Sequence, residues 1–160
     1  MPKVMIYSDG SSRGNPGPGG FGTIIRFEDS VGTVHEKEIS SGYKITTNNR
    51  MELLGVIAGL EALNKPCLVT VTSDSKYVID AFNKKWIYGW IKSDFRRNTA
   101  NPVKNIDLWE RLIKLVNNQE KVEFIWIKGH NGHVFNERCD VLATSAADSS
   151  NLLDDDGFKM

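Results

Sequence analysis

Met5-Ile6-Tyr7-Ser8-Asp9-Gly10-Ser11 is the stretch from which the rest of the chain can be read. The apolar run from Val4 to Tyr7 reads as a buried strand, and it stops abruptly at a carboxylate. Gly10 then opens a glycine- and proline-rich segment. A strand of this kind belongs inside a sheet, and α/β proteins place their chemistry at strand ends. Asp9 taken alone could equally cap the turn behind it. Three further acids in comparable settings, Glu52, Asp74 and Asp140, shift the balance toward chemistry.

Outward from this strand, Gly10–Gly20 reads as a loop, at minimum a wide hairpin turn. Its small residues would also let a bulky ligand approach the backbone. No Gly-Lys-Ser/Thr follows, so it is not a Walker loop. Phe21–Phe27 and Thr33–Ser40 read as strands two and three of an antiparallel meander. Thr46-Thr47-Asn48-Asn49 is an N-cap cluster. The helix behind it places Met51, Leu54, Ile57, Ala58 and Leu63 at helical spacing, with Gly55 and Gly59 set for close packing on the sheet. An early Glu such as Glu52 is also favoured by the helix dipole. Cys67–Thr72 is a fourth strand, followed by Ser73-Asp74-Ser75. A strand–helix–strand crossover makes it parallel to a neighbour and puts Asp74 at the same sheet end as Asp9. Short helices over Ser75–Phe82 and Val103–Asn118, a strand over Lys121–Ile127 and a helix over Asn136–Ala147 complete the pattern. Beyond Asp148 a short acidic tail, 148–160, is expected to be loose.

At 160 residues, 40% hydrophobic and 25% charged, the chain has the composition of one ordinary globular domain, expected over 1–147. Two cysteines and no targeting segment lead to an expected reduced, cytoplasmic setting. No apolar run has the ~20 residues of a membrane span. The net charge of zero hides an asymmetry: Lys84–Lys104 carries six bases and one acid. Trp86, Tyr88, Trp90 and Phe95 are interleaved with them. A core helix would explain the aromatics but not the lysines and arginines. Bases that track phosphates and aromatics that stack on sugars or bases explain both.

Two strand-end acids and two helix acids that met at one sheet end could not all stay ionised without cations. Oxygen-only ligands select Mg²⁺ or Mn²⁺ over Zn²⁺. Two such ions can activate a water and stabilise the leaving oxygen of a phosphodiester. His130, His133 and Cys139 invite a zinc reading, but their spacing fits no usual zinc pattern. A histidine on the glycine-flanked loop suits proton movement or product release better.

Six segments together resemble ribonuclease H of type 1, the bacterial form in particular. They are Tyr-Ser-Asp-Gly-Ser (7–11), Gly-Asn-Pro-Gly-Pro-Gly-Gly (14–20), Thr-Thr-Asn-Asn-Arg-Met-Glu-Leu (46–53), Thr-Ser-Asp-Ser (72–75), Pro-Val-Lys-Asn-Ile-Asp-Leu-Trp (102–109) and Lys-Gly-His-Asn-Gly-His…Asn-Glu-Arg-Cys-Asp (128–140). The resemblance implies an α/β, ribonuclease H-like fold: a five-stranded mixed sheet, three strands antiparallel and two parallel, flanked by helices. It implies an endonuclease that cuts the RNA strand of RNA–DNA hybrids with two Mg²⁺ ions, Mn²⁺ being a substitute, and leaves 5′-phosphate and 3′-hydroxyl ends. The metal carboxylates fall on Asp9, Glu52, Asp74 and Asp140, the loop histidine on His130 and an assisting acid on Glu137. RNA contacts fall on Asn15, Asn48 and Asn49, where a minor groove displays 2′-hydroxyls. A pocket for a DNA-strand phosphate falls on Thr47 and Asn105. The basic protrusion falls on Lys84, Lys85, Trp86, Trp90, Arg96 and Arg97, with Trp86 and Trp90 facing the DNA strand. The chain departs from its relatives at Ile45, where an arginine is common, at Phe95, where a tryptophan is expected, and at Lys76, where a glutamine is usual. A monomer with no obligate protein partner and no membrane contact is expected.

Overall fold

The structure is a computed structural model and describes residues 2–159. Its five strands are β1 (Lys3–Ser12), β2 (Gly17–Glu28), β3 (Val34–Thr46), β4 (Leu68–Ser73) and β5 (Lys121–Trp126). They lie in the order β3-β2-β1-β4-β5. β1 pairs antiparallel with β2 and parallel with β4, β2 pairs antiparallel with β3, and β4 pairs parallel with β5. The expected mixed sheet is therefore present, with the Asp9 strand at its centre. No helix of the described residues is long and apolar enough to cross a membrane.

Among the described residues five α-helices complete the fold: α1 (Asn48–Glu61), α2 (Lys76–Asn83), α3 (Trp86–Lys92), α4 (Ile106–Asn117) and α5 (Val134–Ala147), with a short 3-10 turn at Asp94–Arg96. α1 starts where the Thr47 side chain accepts the Arg50 amide, and it is buried along almost its whole length. Such all-round burial belongs to a central helix, here between the sheet and α4. Gly55 and Gly59 do bring it close: a Cβ on Gly59 would sit 2.8 Å from Ile6 and one on Gly55 3.2 Å from Ser8. Ile6, Leu53, Ile57, Val71 and Trp109 form the floor of the core. Each such aliphatic side chain contributes about 1.5–3 kcal/mol by leaving water.

Three expectations are corrected. The Gly10–Gly20 loop is mostly strand: β1 continues to Ser12 and β2 begins at Gly17. What approaches these glycines is the protein itself, since a Cβ on Gly20 would meet the Ala143 carbonyl oxygen at 2.5 Å. The missing side chains let α5 lie directly on β2. Second, α4 starts at Ile106 rather than Val103, because Asn105 is left-handed (φ 61°) and Val103 instead bonds back to the Phe95 carbonyl. Third, the acidic tail is not loose. The Leu153 amide donates to Gly42 and its carbonyl accepts the Lys44 amide, both at 2.8 Å, so the segment runs along β3.

Candidate active site and nucleic-acid interface

β1 and β4 run parallel, so their C-terminal ends lie side by side, and α1 crosses behind them with Glu52 in its second turn. One carboxylate oxygen each from Asp9, Glu52 and Asp74 lies within 4.8 Å of the others. Asp9 and Glu52 are buried and Asp74 is half-buried. The Gly10 amide ties the first two together, donating to Glu52 Oε1 at 2.7 Å and to Asp9 Oδ1 at 3.0 Å. A Cβ on Gly10 would sit 2.5 Å from the Glu52 nitrogen, so only glycine admits α1 this closely. Burial, then the charges of Glu52 and Asp74, pushes Asp9 far above the ordinary carboxylate range. Burial also raises Glu52. Such a pair cannot ionise together without a cation. Glu52 Oε2 has no hydrogen-bond partner although it is buried. An orphaned carboxylate oxygen beside two other acids fits a hard divalent cation, which takes oxygen ligands.

Asp140 stands outside this tight group, on the second turn of α5, where its charge still reaches Asp9. Glu137, one turn earlier, is exposed. The loop after β5 passes over Asp74 so closely that a Cβ on Gly129 would lie 2.5 Å from Asp74 Oδ2. His130 follows, exposed and left-handed at φ 55°. His133 is engaged elsewhere: it caps α5, its Nδ1 accepting the Asn136 amide at 3.2 Å. Cys139 is buried, and burial followed by the Asp9 charge pushes its thiol up to about 12. A capping histidine and a protonated thiol do not make the zinc site that the spacing had already argued against.

Asn15, Asn48 and Asn49 are exposed at the start of α1, where Asn15 Oδ1 accepts the Asn48 amide at 3.2 Å. Among the described residues the Asn15 amide hydrogens have no internal partner. Thr47 and Asn105 both adjoin Arg50: Thr47 Oγ1 accepts the Arg50 amide and Asn105 Oδ1 accepts from Arg50 Nη1, each at 3.3 Å. In the protrusion, Trp86 is 45% exposed, with Lys84 Nζ 5.7 Å from its ring centre. Trp90 instead packs edge-on against Trp109, centroids 5.0 Å apart, so the two tryptophans differ in what they present to solvent. Phe95 is buried in a turn whose residues Asp94, Phe95 and Arg96 are all left-handed. It anchors the protrusion rather than offering a stacking face. Arg97 is paired with Glu110 at 3.0 Å and Lys84 stands 3.6 Å from Asp80. Lys85 and Arg96 form no ion pair among the described residues.

Reading the sequence alone missed the Gly10 amide, Arg50, Asp155 and Trp126. Trp126 Nε1 donates to the Asp74 carbonyl at 3.0 Å, and Lys76 Nζ lies 4.7 Å from the Trp126 ring centre. Only Arg50 had a signal in the pattern, as a charged residue placed within an apolar helical run.

A mixed sheet that gathers buried carboxylates at the end of its central strands, with no nitrogen or sulfur donor among them, defines an α/β protein with a hard-cation type of acidic centre. The family model for RNase H matches residues 1–148. A "Ribonuclease H" from Lachnoclostridium phytofermentans is 61% identical over 96% of this chain and 97% of that relative. Another from Pseudoalteromonas atlantica is 48% identical over 99% of each. Among solved structures, LC9-RNase H1, described as a type 1 RNase H with the type 2 active-site motif, superposes with a TM-score of 0.82 at 31% identity, covering 92% of this chain and 72% of that one. The N-terminal RNase H domain of rv2228c from Mycobacterium tuberculosis gives 0.69 at 28% identity, covering 92% and 95%. The chain belongs to the ribonuclease H family.

Proposed function

We propose that this chain hydrolyses the RNA strand of RNA–DNA hybrids, leaving 5′-phosphate and 3′-hydroxyl ends. The observation that carries this reading is the carboxylate trio of buried Asp9 and Glu52 and half-buried Asp74, with its orphaned Glu52 oxygen. Asp9, Glu52, Asp74 and Asp140 would hold two Mg²⁺ ions, or Mn²⁺ in their place, which when bound activate a water and stabilise the departing 3′ oxygen. The chain's own groups do the rest. The Gly10 amide fixes Asp9 and Glu52 relative to each other before substrate arrives. Asn15, Asn48 and Asn49 present amides to 2′-hydroxyls across a minor groove. Thr47 and Asn105 each keep one unused donor for a phosphate of the DNA strand. Lys84, Lys85, Trp86 and Arg96 extend the DNA-side contact, while Trp90 and Arg97 brace the protrusion. His130 and Glu137, both exposed beside the centre, move protons and assist release of the cut strand. The enzyme works as a cytoplasmic monomer.

The test is cleavage of a labelled hybrid with Mg²⁺ and then with EDTA, beside single-stranded RNA, duplex RNA and duplex DNA. Cutting confined to the RNA of the hybrid, and only with metal, is expected. Hybrid binding without cutting in either Mg²⁺ or Mn²⁺ would sink the reading.

A further inference from the structure

The C-terminal segment is tied into the same hydrogen-bond network as the residues assigned to the phosphate pocket. Leu153 first pins the segment to β3 through Gly42 and Lys44. Two residues later, Asp155 Oδ2 accepts Thr46 Oγ1 at 2.7 Å and Arg50 Nε at 2.8 Å, and Oδ1 accepts Arg50 Nη2 at 3.0 Å. The Asp155 side chain is only 5% exposed. Arg50 continues outward, donating from Nη1 to Asn105 Oδ1 and holding Asp107 with both terminal nitrogens at 2.7 and 2.9 Å. Asn105 Nδ2 donates to the Tyr77 hydroxyl at 3.0 Å, which also accepts Trp109 Nε1 at 3.0 Å. Gly157 closes the assembly, its Cα so near Arg50 and Asp107 that a side chain there would strike both.

The donor count shows what this network does. The Asn105 carbonyl and one amide hydrogen are used internally, which leaves one hydrogen in a fixed place. Thr47 accepts the Arg50 amide, which leaves its hydroxyl proton. Thr46, held by Asp155, is the residue immediately before Thr47. A carboxylate that grips Arg50 and Thr46 at once therefore sets both of the pocket's free donors without touching the ligand.

We propose that residues 150–158 form a strap that positions the DNA-phosphate pocket, with Asp155 as its positioning residue acting through Arg50 on Asn105 and through Thr46 on Thr47. This rests on the hybrid-cleaving reading above. The strap acts on ground-state binding of the hybrid and leaves the carboxylate centre alone.

The experiment uses the full chain and a set of hybrids in which one DNA-strand phosphate at a time is replaced by an uncharged methylphosphonate. Wild type should show a raised KM at one position, the phosphate that enters the pocket. Asp155→Asn should raise KM on the unmodified hybrid about fivefold, a size typical of coupling through an intermediate residue, with kcat kept. It should also flatten the penalty at that one position, and it should add nothing on an Asn105→Ala background. Thr46→Val, which removes the hydroxyl but keeps the volume, should move KM the same way and serves if Asp155→Asn does not fold. A variant that loses melting temperature but keeps KM and the full positional penalty overturns the strap, as does a wild type that cleaves with no positional penalty. A wild type that cleaves no hybrid overturns the function itself, so the two failures are distinguishable.

Discussion

Arg50 and Glu52 sit two residues apart on α1, and both are almost fully buried, at 2% and 4% exposure. Their surroundings are opposite. Arg50 makes five side-chain hydrogen bonds, to Asp155, Asp107 and Asn105. A guanidinium has five N–H donors, so none is left over. Burial works against its charge, but the two carboxylates more than offset this and hold the guanidinium firmly protonated. In turn, Asp107 is penalised by partial burial yet kept below the ordinary carboxylate range by Arg50. Glu52 has one backbone donor, two like-charged neighbours and an oxygen with no partner. A buried charge that the protein neutralises itself is structural, whereas one left open beside others of its sign could hold a metal ion.

The comparison is sharpest if the two clusters fail in different ways. Asp9→Asn should lower kcat by about three powers of ten or more, the several kcal/mol of transition-state stabilisation that a misheld divalent ion forfeits, while hybrid binding persists. Single-turnover cleavage beside a filter-binding assay checks this, and near wild-type cutting would break the assignment. Arg50→Ala should cost about 3–5 kcal/mol of stability, because it strands the buried Asp155 carboxylate. Chemical denaturation reads that loss, and a cost below about 1 kcal/mol would mean the cluster contributes little.

At the open cluster the sign of the stability effect should reverse. Asp9 has a folded pKa above its unfolded one. Its contribution in the metal-free protein is therefore fully present below about pH 4 and is lost as pH rises through the raised value. In EDTA, Asp9→Asn should accordingly gain about 1–2 kcal/mol at neutral pH, or roughly 3–6 °C in melting temperature, and flatten the decline with pH. Added Mg²⁺ should recover the same gain in wild type and little in the variant. The smallest effect is expected at Lys76, an exposed charge on Trp126 with no carboxylate partner among the described residues. If Lys76 meets a substrate phosphate, Lys76→Gln should reduce the slope of log kcat/KM against log salt by about 1, and an unchanged slope would show that it meets none.

Much of this was legible in the sequence because it depends on local pattern. Strand period, the Thr47 cap and the crossover rule placed Asp9 and Asp74 at one sheet end, and the Gly55/Gly59 spacing signalled a helix pressed on the sheet. The errors have a common physical source. Gly20 looks like a loop residue by propensity, but the packing of α5 on β2 selects glycine there just as strongly. Trp90 and Phe95 share a basic stretch with Trp86, yet Trp109 and the core claim them because burying an aromatic ring outweighs its local charge context. The segment after Asp148 reads as loose because its acids are counted as solvated, when one of them faces a buried arginine over a hundred residues away.

The sequence by itself determined the order of the strands, a fourth strand parallel to a neighbour and the identity of the acids at the strand ends, since periodicity, caps and chain crossovers act over neighbouring residues. Only the tertiary structure decided which charges are closed and which stay open. Whether Arg50 meets Asp155, Glu52 keeps an orphaned oxygen and Asn105 retains one free donor is set by side chains far apart in the chain. In a low-dielectric interior, each hydrogen bond found or missed there weighs more than any local preference.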